Sequence, residues 1–436
     1  MAKSNTRPTK MSVRHSTLDR ISDLPENVLE NILLCLPIRD AVRTSSLSKK
    51  WRNKWEDAPQ LIFDTTFAPT TQRTQINKLL MTIYEVLLLH SGPIHKFTLS
   101  FPGLRSCLEI DRLVLFLSRK GVREFKLCIS IGSLHKLPSY LFSCLQLKHL
   151  SLRSCIFTPP PTFKGFSTLI TLKLQEVQFP QNFKDFISNC CLLEELMLDS
   201  CTDLSRLEIN CPKLKLLYYI GSYQTLCFKN MPHLAAVSIY EIEAKSEGMK
   251  IPDLVQVLHS LPALKYLSVD YYFLKTLVGL PTPLKHLKSI IIYFVSFTKL
   301  EEVTSVFHLL RSSPNLQDLQ IEMYPEAGAY AIKPVELLEA EQLLKVEGQS
   351  KYSLNQLRKV KLQKFNGSRP EVEFVKFLLA KSPVLETISL QPHEGTSNDK
   401  QLAILMEIIR FRRASTNAEI ICEKFVEEYD DDIVSM

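Results

Sequence analysis

One spacing recurs through the middle of this chain and leaves it few folds to adopt. An apolar residue is followed by two others, an apolar residue, one other, and an apolar residue. Clear copies are LKHLSL from Leu147, LITLKL from Leu169, LEELML from Leu193, LKYLSV from Leu264, LKSIII from Leu287, LQDLQI from Leu316, LRKVKL from Leu357 and LETISL from Leu385. Weaker copies begin at Ile94, Val122, Leu204, Leu214 and Leu234. Many steps between copies are roughly 20 to 30 residues, the period of a leucine-rich repeat. Each copy reads as a short strand. Its first, fourth and sixth residues face one core, and its third, fifth and seventh point outward along a concave face. No single copy can bury its own apolar side, so neighbours must stack into a solenoid.

Details of the repeat follow from the same geometry. Cys155 and Cys201 stand three residues after the sixth position of their copies, where a small residue turns inward under the next bend. CPKLKLL, MPHLAAV, LPALKYL, SPNLQDL and SPVLETI lead into strands, since proline blocks helix continuation and favours extended backbone before it. The Leu204 copy follows its neighbours too closely for a full turn and is expected on another face of one solenoid turn. IIIYFVSF, from Ile290, is short, β-branched and aromatic, so it reads as a buried strand rather than a membrane span. PVELLEAEQLL, from Pro334, reads as a helix with proline in its first turn, between loops PEAGAYA and VEGQSKYS.

Ahead of the solenoid, Thr74 to Ile94 has an apolar stripe of Ile76, Leu79, Leu80, Ile83 and Leu87. It reads as an amphipathic helix capping the N-terminal end of the stack. Residues 1–17 are basic, carry no acid and lack periodicity. They read as a disordered solvated arm, with nuclear import as the alternative.

Catalytic chemistry finds little support. The chain has 12 glycines in 436 residues and lacks GxGxxG, GxxxxGK[ST] and GxSxG. Its 11 cysteines are odd in number and include no CxxC pair, as expected for reduced thiols in the nucleus or cytoplasm. Cys190 and Cys191 read as buried packing. No metal-ligand spacing appears, so no catalytic residue, metal or cofactor is expected. The net charge of +7 is spread among acids. Neither nucleic-acid binding nor membrane association is expected.

The segment from Asp23 to Trp55 is too short to bury its own apolar content. Pro25 and Glu26 suit a helix start, and Val28, Leu29, Ile32, Leu33 and Leu36 follow at helical spacing until Pro37. IRDAVRTSSL reads as a second helix and SKKWRNKWEDA as a third, with Ser48 as its N-cap. With its Leu24–Pro25 start, spaced Leu29, Ile32 and Leu36, PIRD joint and SKKWR ending, this segment resembles an F-box. LRKVKLQKFNGSRPEVEFVKFLLAKSPVLETISL, from Leu357, resembles the FBD domain through Phe365, Gly367, Glu371, Glu373, Phe374, Leu378, Leu379 and Leu385. FRRASTNAEI, from Phe411, is similar to that family's closing segment. Nearly the whole chain is thus identified as a member of the plant F-box/FBD/LRR-repeat proteins.

The resemblance implies an α/β fold: a three-helix F-box, then an irregular leucine-rich-repeat horseshoe ending in an FBD segment. The expected boundaries are a basic arm over 1–17, the F-box over 18–64, a connecting and capping helix over 65–93, the solenoid over 94–356, the FBD domain with the final repeats over 357–423, and an acidic tail over 424–436. It further implies a non-catalytic substrate receptor of a Skp–cullin–F-box (SCF) ubiquitin ligase. A Skp-type adaptor would bind the F-box and link it to cullin and RING subunits, and the repeats would bind the protein to be ubiquitinated. A non-ligase interaction scaffold is the alternative.

Adaptor contacts are assigned to Leu24, Pro25, Val28, Leu29, Ile32, Leu36 and Trp51, some of which must instead form internal core. Leu33 and Leu47 are assigned to internal packing. Lys49, Lys50, Arg52 and Lys54 either meet an acidic adaptor surface or form a solvated helix face. Outward strand positions include His149, Ser151, Glu195, Asp199, Asp270, Asp318 and Glu322. Among them Arg153, Lys173, Met197, Tyr240, Tyr266 and Tyr293 are assigned to substrate binding.

Overall fold

A computed structural model describes residues 24–68, 76–179, 183–204, 206–222, 225–241, 258, 261–275, 283–324 and 334–423. The arm over 1–17, the tail over 424–436 and PEAGAYA lie outside the described residues.

The repeats build one sheet of fourteen parallel strands among the described residues, nearly in chain order, from Gln60–Phe63 to Glu419–Cys422. The fourth positions of successive copies lie in register. Leu150 pairs with Leu172, Leu172 with Leu196, Leu196 with Leu217, Leu217 with Val237 and Val237 with Leu267. The row continues through Ile290, Leu319, Val360 and Ile388. All of these side chains are buried. The period that marks the repeat in sequence is therefore the spacing that stacks one apolar residue on the next. Helices such as Leu108–Leu117, Leu300–Arg311 and Arg369–Lys381 bring their own apolar residues to this core. The third and fifth positions line the opposite, open face of the sheet.

Bends after the strands use a left-handed residue: Ser154, Glu176 and Ser200 have φ between 52° and 54°. Each still donates its backbone N–H to the next turn, to Gln175, Asp199 and Ile220 carbonyls at 2.8–2.9 Å. Cys155 and Cys201 then turn inward. Burial pushes both thiols up to about 12, so they are packing groups. Cys190 is likewise buried, but Cys191 is exposed, which corrects the expectation for that residue.

The Leu204 copy supplies the strand Arg206–Asn210, which leaves the main sheet and pairs with Thr225–Lys229. A second small sheet joins His135–Lys136 to Cys155–Ile156. Several expectations need correction. The helix Ile76–Leu89 buries Ile76, Leu80, Ile83 and Leu87, but it connects the first two parallel strands, Gln60–Phe63 and Lys96–Leu99. It is the crossover that parallel pairing requires, not an end cap. The Pro334 helix runs on to Gln349, so VEGQ is its last turn rather than loop. IIIYFVSF forms the strand Ser289–Val295, yet Tyr293 and Phe294 emerge on the open face.

At the C-terminal end the conformation around Gly367 explains the residue types there. Ser368 and Glu371 form a reciprocal capping box at the start of Arg369–Lys381. One Glu371 carboxylate oxygen accepts the backbone N–H groups of Asn366, Gly367 and Ser368 at 3.0, 2.7 and 3.1 Å. Phe374, on the same helix, packs 4.6 Å from Phe297 and 6.1 Å from Phe307, ring centre to ring centre.

Candidate functional site

Two surfaces concentrate apolar or unpaired side chains: the N-terminal helical unit and the open face of the sheet.

The N-terminal unit begins with the helix Glu26–Cys35, where Pro25 occupies the N-cap and its carbonyl accepts the Val28 and Leu29 N–H groups. Pro37 ends that helix, which lacks the N–H needed to continue, and opens the next, Ile38–Arg43. The expected third helix is reduced to turns and a short 3₁₀ segment, Lys54–Asp57, after Asn53 at φ 63°. Ser48 therefore caps no helix.

The unit is seated on the solenoid. Arg39 Nη2 donates to the Phe67 carbonyl at 2.8 Å and its guanidinium lies 5.3 Å over the Phe67 ring. Ser91 N–H donates to the Glu56 carbonyl at 2.9 Å, and Ser91 Oγ to Asp57 at 2.7 Å. Leu33, Ile38, Ala41 and Trp55 join the buried core that continues into Leu61 and Phe63.

This seating sorts the expected adaptor contacts. Leu29 is 0% exposed and Trp51 is 2% exposed, so both are internal core and are withdrawn as contacts. Leu24, Val28, Ile32 and Leu36 recur at every fourth residue and stay half-buried, with Pro25 exposed beside them. Val28 and Ile32 share one face of the helix, and Leu24 just before it and Leu36 at its C-cap flank them. Leu47, expected in internal packing, is 60% exposed. In so small a unit only one side of each segment can face the solenoid. Of the basic cluster, Lys54 pairs with Glu26 and Lys50 donates to the Leu24 carbonyl at 2.9 Å. These two hold the start of the helix. Lys49 and Arg52 are exposed.

On the open face, the first repeats enclose a groove of about 360 Å³ lined by Lys96, Lys126, His149, Ser151, Lys173 and Glu195, among others. Lys96 pairs with Glu124 at 2.9 Å and Arg153 with Glu176 at 3.2 Å. Further along, aromatic rings take over. Tyr240 lies edge-on to Tyr218 at 5.7 Å and to Tyr293 at 5.3 Å. Tyr266 is half-buried beside them, as are Met197 and Lys173 in the earlier strands.

Two of the outward assignments fail. Tyr240 is buried, and its hydroxyl bonds the Ser268 hydroxyl at 2.6 Å. Burial pushes its phenol well above the usual range. It supports the surface from below rather than contacting a partner. Asp270 is 1% exposed and accepts the N–H groups of Glu241 and Phe273 at 2.6 and 2.8 Å. It caps the turn Tyr271–Leu274, and burial pushes its carboxyl up despite those bonds.

Phe294 was missed. It is 47% exposed, has φ 62°, and sits where the strand register shifts between Ile292 and Val295. The pair Tyr293–Phe294 was the available signal, because strict alternation would have sent one of the two into the core.

Among the described residues, no group of three His, Cys, Asp or Glu side chains is arranged to hold a metal ion. No helix there is long and apolar enough to cross a membrane. Among the described residues the geometry offers surfaces for protein partners.

Family models agree with this division. One for the F-box domain matches residues 21–62, one described as FBD-associated F-box protein At5g56370, LRR repeats, matches 110–321, and one for FBD matches 352–390. Among relatives, the F-box/FBD/LRR-repeat protein At1g13570 of Arabidopsis thaliana is 38% identical over 416 residues, 92% of this chain and 98% of the relative. The Arabidopsis thaliana F-box/FBD/LRR-repeat protein At2g04230 is 32% identical over 46% of this chain and 47% of its own length. At3g26920, from the same plant and with the same description, is 26% identical over 70% and 75%.

Proposed function

Since the chain belongs to the F-box/FBD/LRR-repeat family, a set of protein-interaction adaptors, we propose that it is the substrate-recognition subunit of an SCF-type ubiquitin ligase. The F-box stripe binds a Skp-type adaptor, which connects the chain to cullin and RING subunits. The open face of the repeats and the FBD segment hold the protein to be ubiquitinated. The chain itself performs no bond chemistry; it fixes two proteins at a set separation.

The observation that carries this reading is the stripe of Leu24, Val28, Ile32 and Leu36. It stays partly open after the unit has docked on the solenoid through Leu29, Leu33, Trp51 and Trp55. Four half-buried aliphatic side chains on and flanking one helix suit burial against a partner helix. Seating on a continuous core lets the F-box unit carry the repeats as a fixed arm. The eleven cysteines are all free, which supports a reducing compartment, nucleus or cytoplasm.

Reconstitution tests the ligase role. Proteins captured by the chain are incubated with adaptor, cullin, RING protein, ubiquitin-activating and ubiquitin-conjugating enzymes, with and without residues 24–58 of the chain. Transfer of ubiquitin to the captured protein only when those residues are present is expected. Capture with no transfer under any condition would favour the scaffold reading.

A further inference from the structure

We propose that the open face of the sheet recognises an extended segment of its partner that is acidic at one end and aliphatic or aromatic at the other, with the acidic end nearer the F-box. The inference rests on the reading that the repeats receive the partner, and it names the chemistry of what they receive.

The fifth repeat position changes character along the sheet. In register, Lys126 stands beside Ser151, Ser151 beside Lys173, Lys173 beside Met197, and Met197 beside Tyr218. Cations thus give way to apolar side chains within one strand spacing. The two lysines lie in the groove described above. Of the other charges there, Lys96 pairs with Glu124 at 2.9 Å, and Glu195, at the far edge of the groove, accepts from the Thr171 hydroxyl at 3.4 Å. Among the described residues neither Lys126 nor Lys173 has an ion-pair partner. Their Cα atoms are two strand spacings, about 10 Å, apart. Two long ammonium arms at that separation can close on one or two carboxylates, and an uncompensated pair of this kind selects an acidic segment over a basic one.

The later strands supply the second chemistry. Tyr266 and Tyr293 are half-buried on the open face, and Phe294 projects beyond them. A bulky residue in the left-handed region is strained, and an exposed phenyl ring is unfavourable in water. Phe294 is both. Its neighbour Lys364 is a second left-handed, bulged residue. It lies 5.9 Å over the Phe294 ring and pairs with Glu322 at 2.5 Å, so the ring is held in place. Aromatic side chains three and four strand spacings beyond Met197 suit the apolar anchors of a protein partner.

The strand holding Lys173 is four spacings from that of Tyr266 and five from that of Tyr293. That is about 19 to 24 Å, which an extended chain covers in about six or seven residues.

The test uses the full chain co-purified with a Skp-type adaptor. A phage-displayed random 12-residue library is selected on it. The enriched peptides are synthesised, and their binding is measured by fluorescence anisotropy to the parent, to Lys126→Glu with Lys173→Glu, and to Tyr293→Ala with Phe294→Ala. Circular dichroism melts check that both variants are folded. The proposal expects enriched peptides with Asp or Glu about six or seven residues from Phe, Leu, Ile, Met or Tyr. It also expects at least tenfold weaker binding by each variant, with adaptor retention unchanged. Enriched peptides lacking that pattern, or binding unchanged in both variants, would overturn it. No enrichment on a preparation that holds its adaptor would overturn it and leave the receptor reading standing, whereas a parent chain that fails to hold the adaptor would sink both. Binding seen only after removal of residues 424–436 would assign the face to the chain's own acidic tail and overturn the proposal as well.

Discussion

Gly367 offers a sharp test of how the C-terminal part is held. Its φ is +70°, and a Cβ placed there would lie 2.1 Å from Ile404 Cδ1 and 2.7 Å from Ile404 Cγ1. Gly367→Ala therefore meets two costs. A side chain in the left-handed region costs about 1–2 kcal/mol, and forcing Ile404 aside costs about 1–3 kcal/mol. The small apolar space beside Ile404, about 20 Å³ between Phe365, Leu390 and Leu405, gives it little room to retreat. Reduced freedom of the unfolded chain returns about 0.4–1 kcal/mol. The net expectation is a loss of about 1–5 kcal/mol, read from urea titrations followed by circular dichroism. In an Ile404→Ala background the clash disappears and the backbone cost remains, so the same substitution should cost only about 1 kcal/mol. Hydrogen exchange at the Asn366, Gly367 and Ser368 amides, which donate to Glu371, should accelerate first. A Gly367→Ala variant within about 0.5 kcal/mol of the parent, or an equal loss in both backgrounds, would refute the reasoning.

Other expectations concern the F-box core and pH. Leu29→Ala should cost about 2–5 kcal/mol, because the side chain is fully buried. Leu47→Ser should change stability by no more than about 0.5 kcal/mol; denaturant midpoints separate the two, and equal effects would contradict the assigned burial. His90 and His135 are both held below the ordinary histidine range by burial. Asp111, at 3.2 Å from His135 Nε2, opposes the effect there, and Lys120 reinforces it at His90. A base whose folded pKa is depressed takes up its proton first in the unfolded chain. Its contribution is intact above the unfolded value of about 6.5 and is lost as pH falls below it. The melting temperature should therefore drop between pH 7.5 and 5.5 by more in the parent than in His90→Gln and His135→Gln variants. Identical slopes would remove both histidines from the account.

Much of the fold is legible in the sequence because the repeat places its leucines where stacking needs them. The row from Leu150 to Ile388 is visible as a spacing before any coordinate is known. The short step at Leu204 also marks a strand outside the main sheet. What the sequence hides depends on contacts between distant parts. Gln60–Phe63 is a single apolar triplet after a polar residue, and it becomes the first strand only because Lys96–Leu99 pairs with it. Helical periodicity finds the apolar residues of the F-box but not which stripe turns to the solenoid, so Leu29 and Trp51 were exchanged with Leu47. Alternation cannot register a left-handed backbone, so the bulge that exposes Phe294 was invisible. An outward position does not reveal that Asp270 is consumed by the turn that follows it.

The receptor account depends most directly on one measurement: co-purification of the full chain with a Skp-type adaptor, beside a variant carrying Leu24→Asp and Ile32→Asp. Both side chains belong to the half-buried stripe rather than the sealed core. The account predicts a stable complex with the parent and its loss in a variant whose thermal melt still shows a folded chain. A parent that does not bind, or a folded variant that binds equally well, would contradict it and leave the N-terminal unit as a structural cap on the repeats.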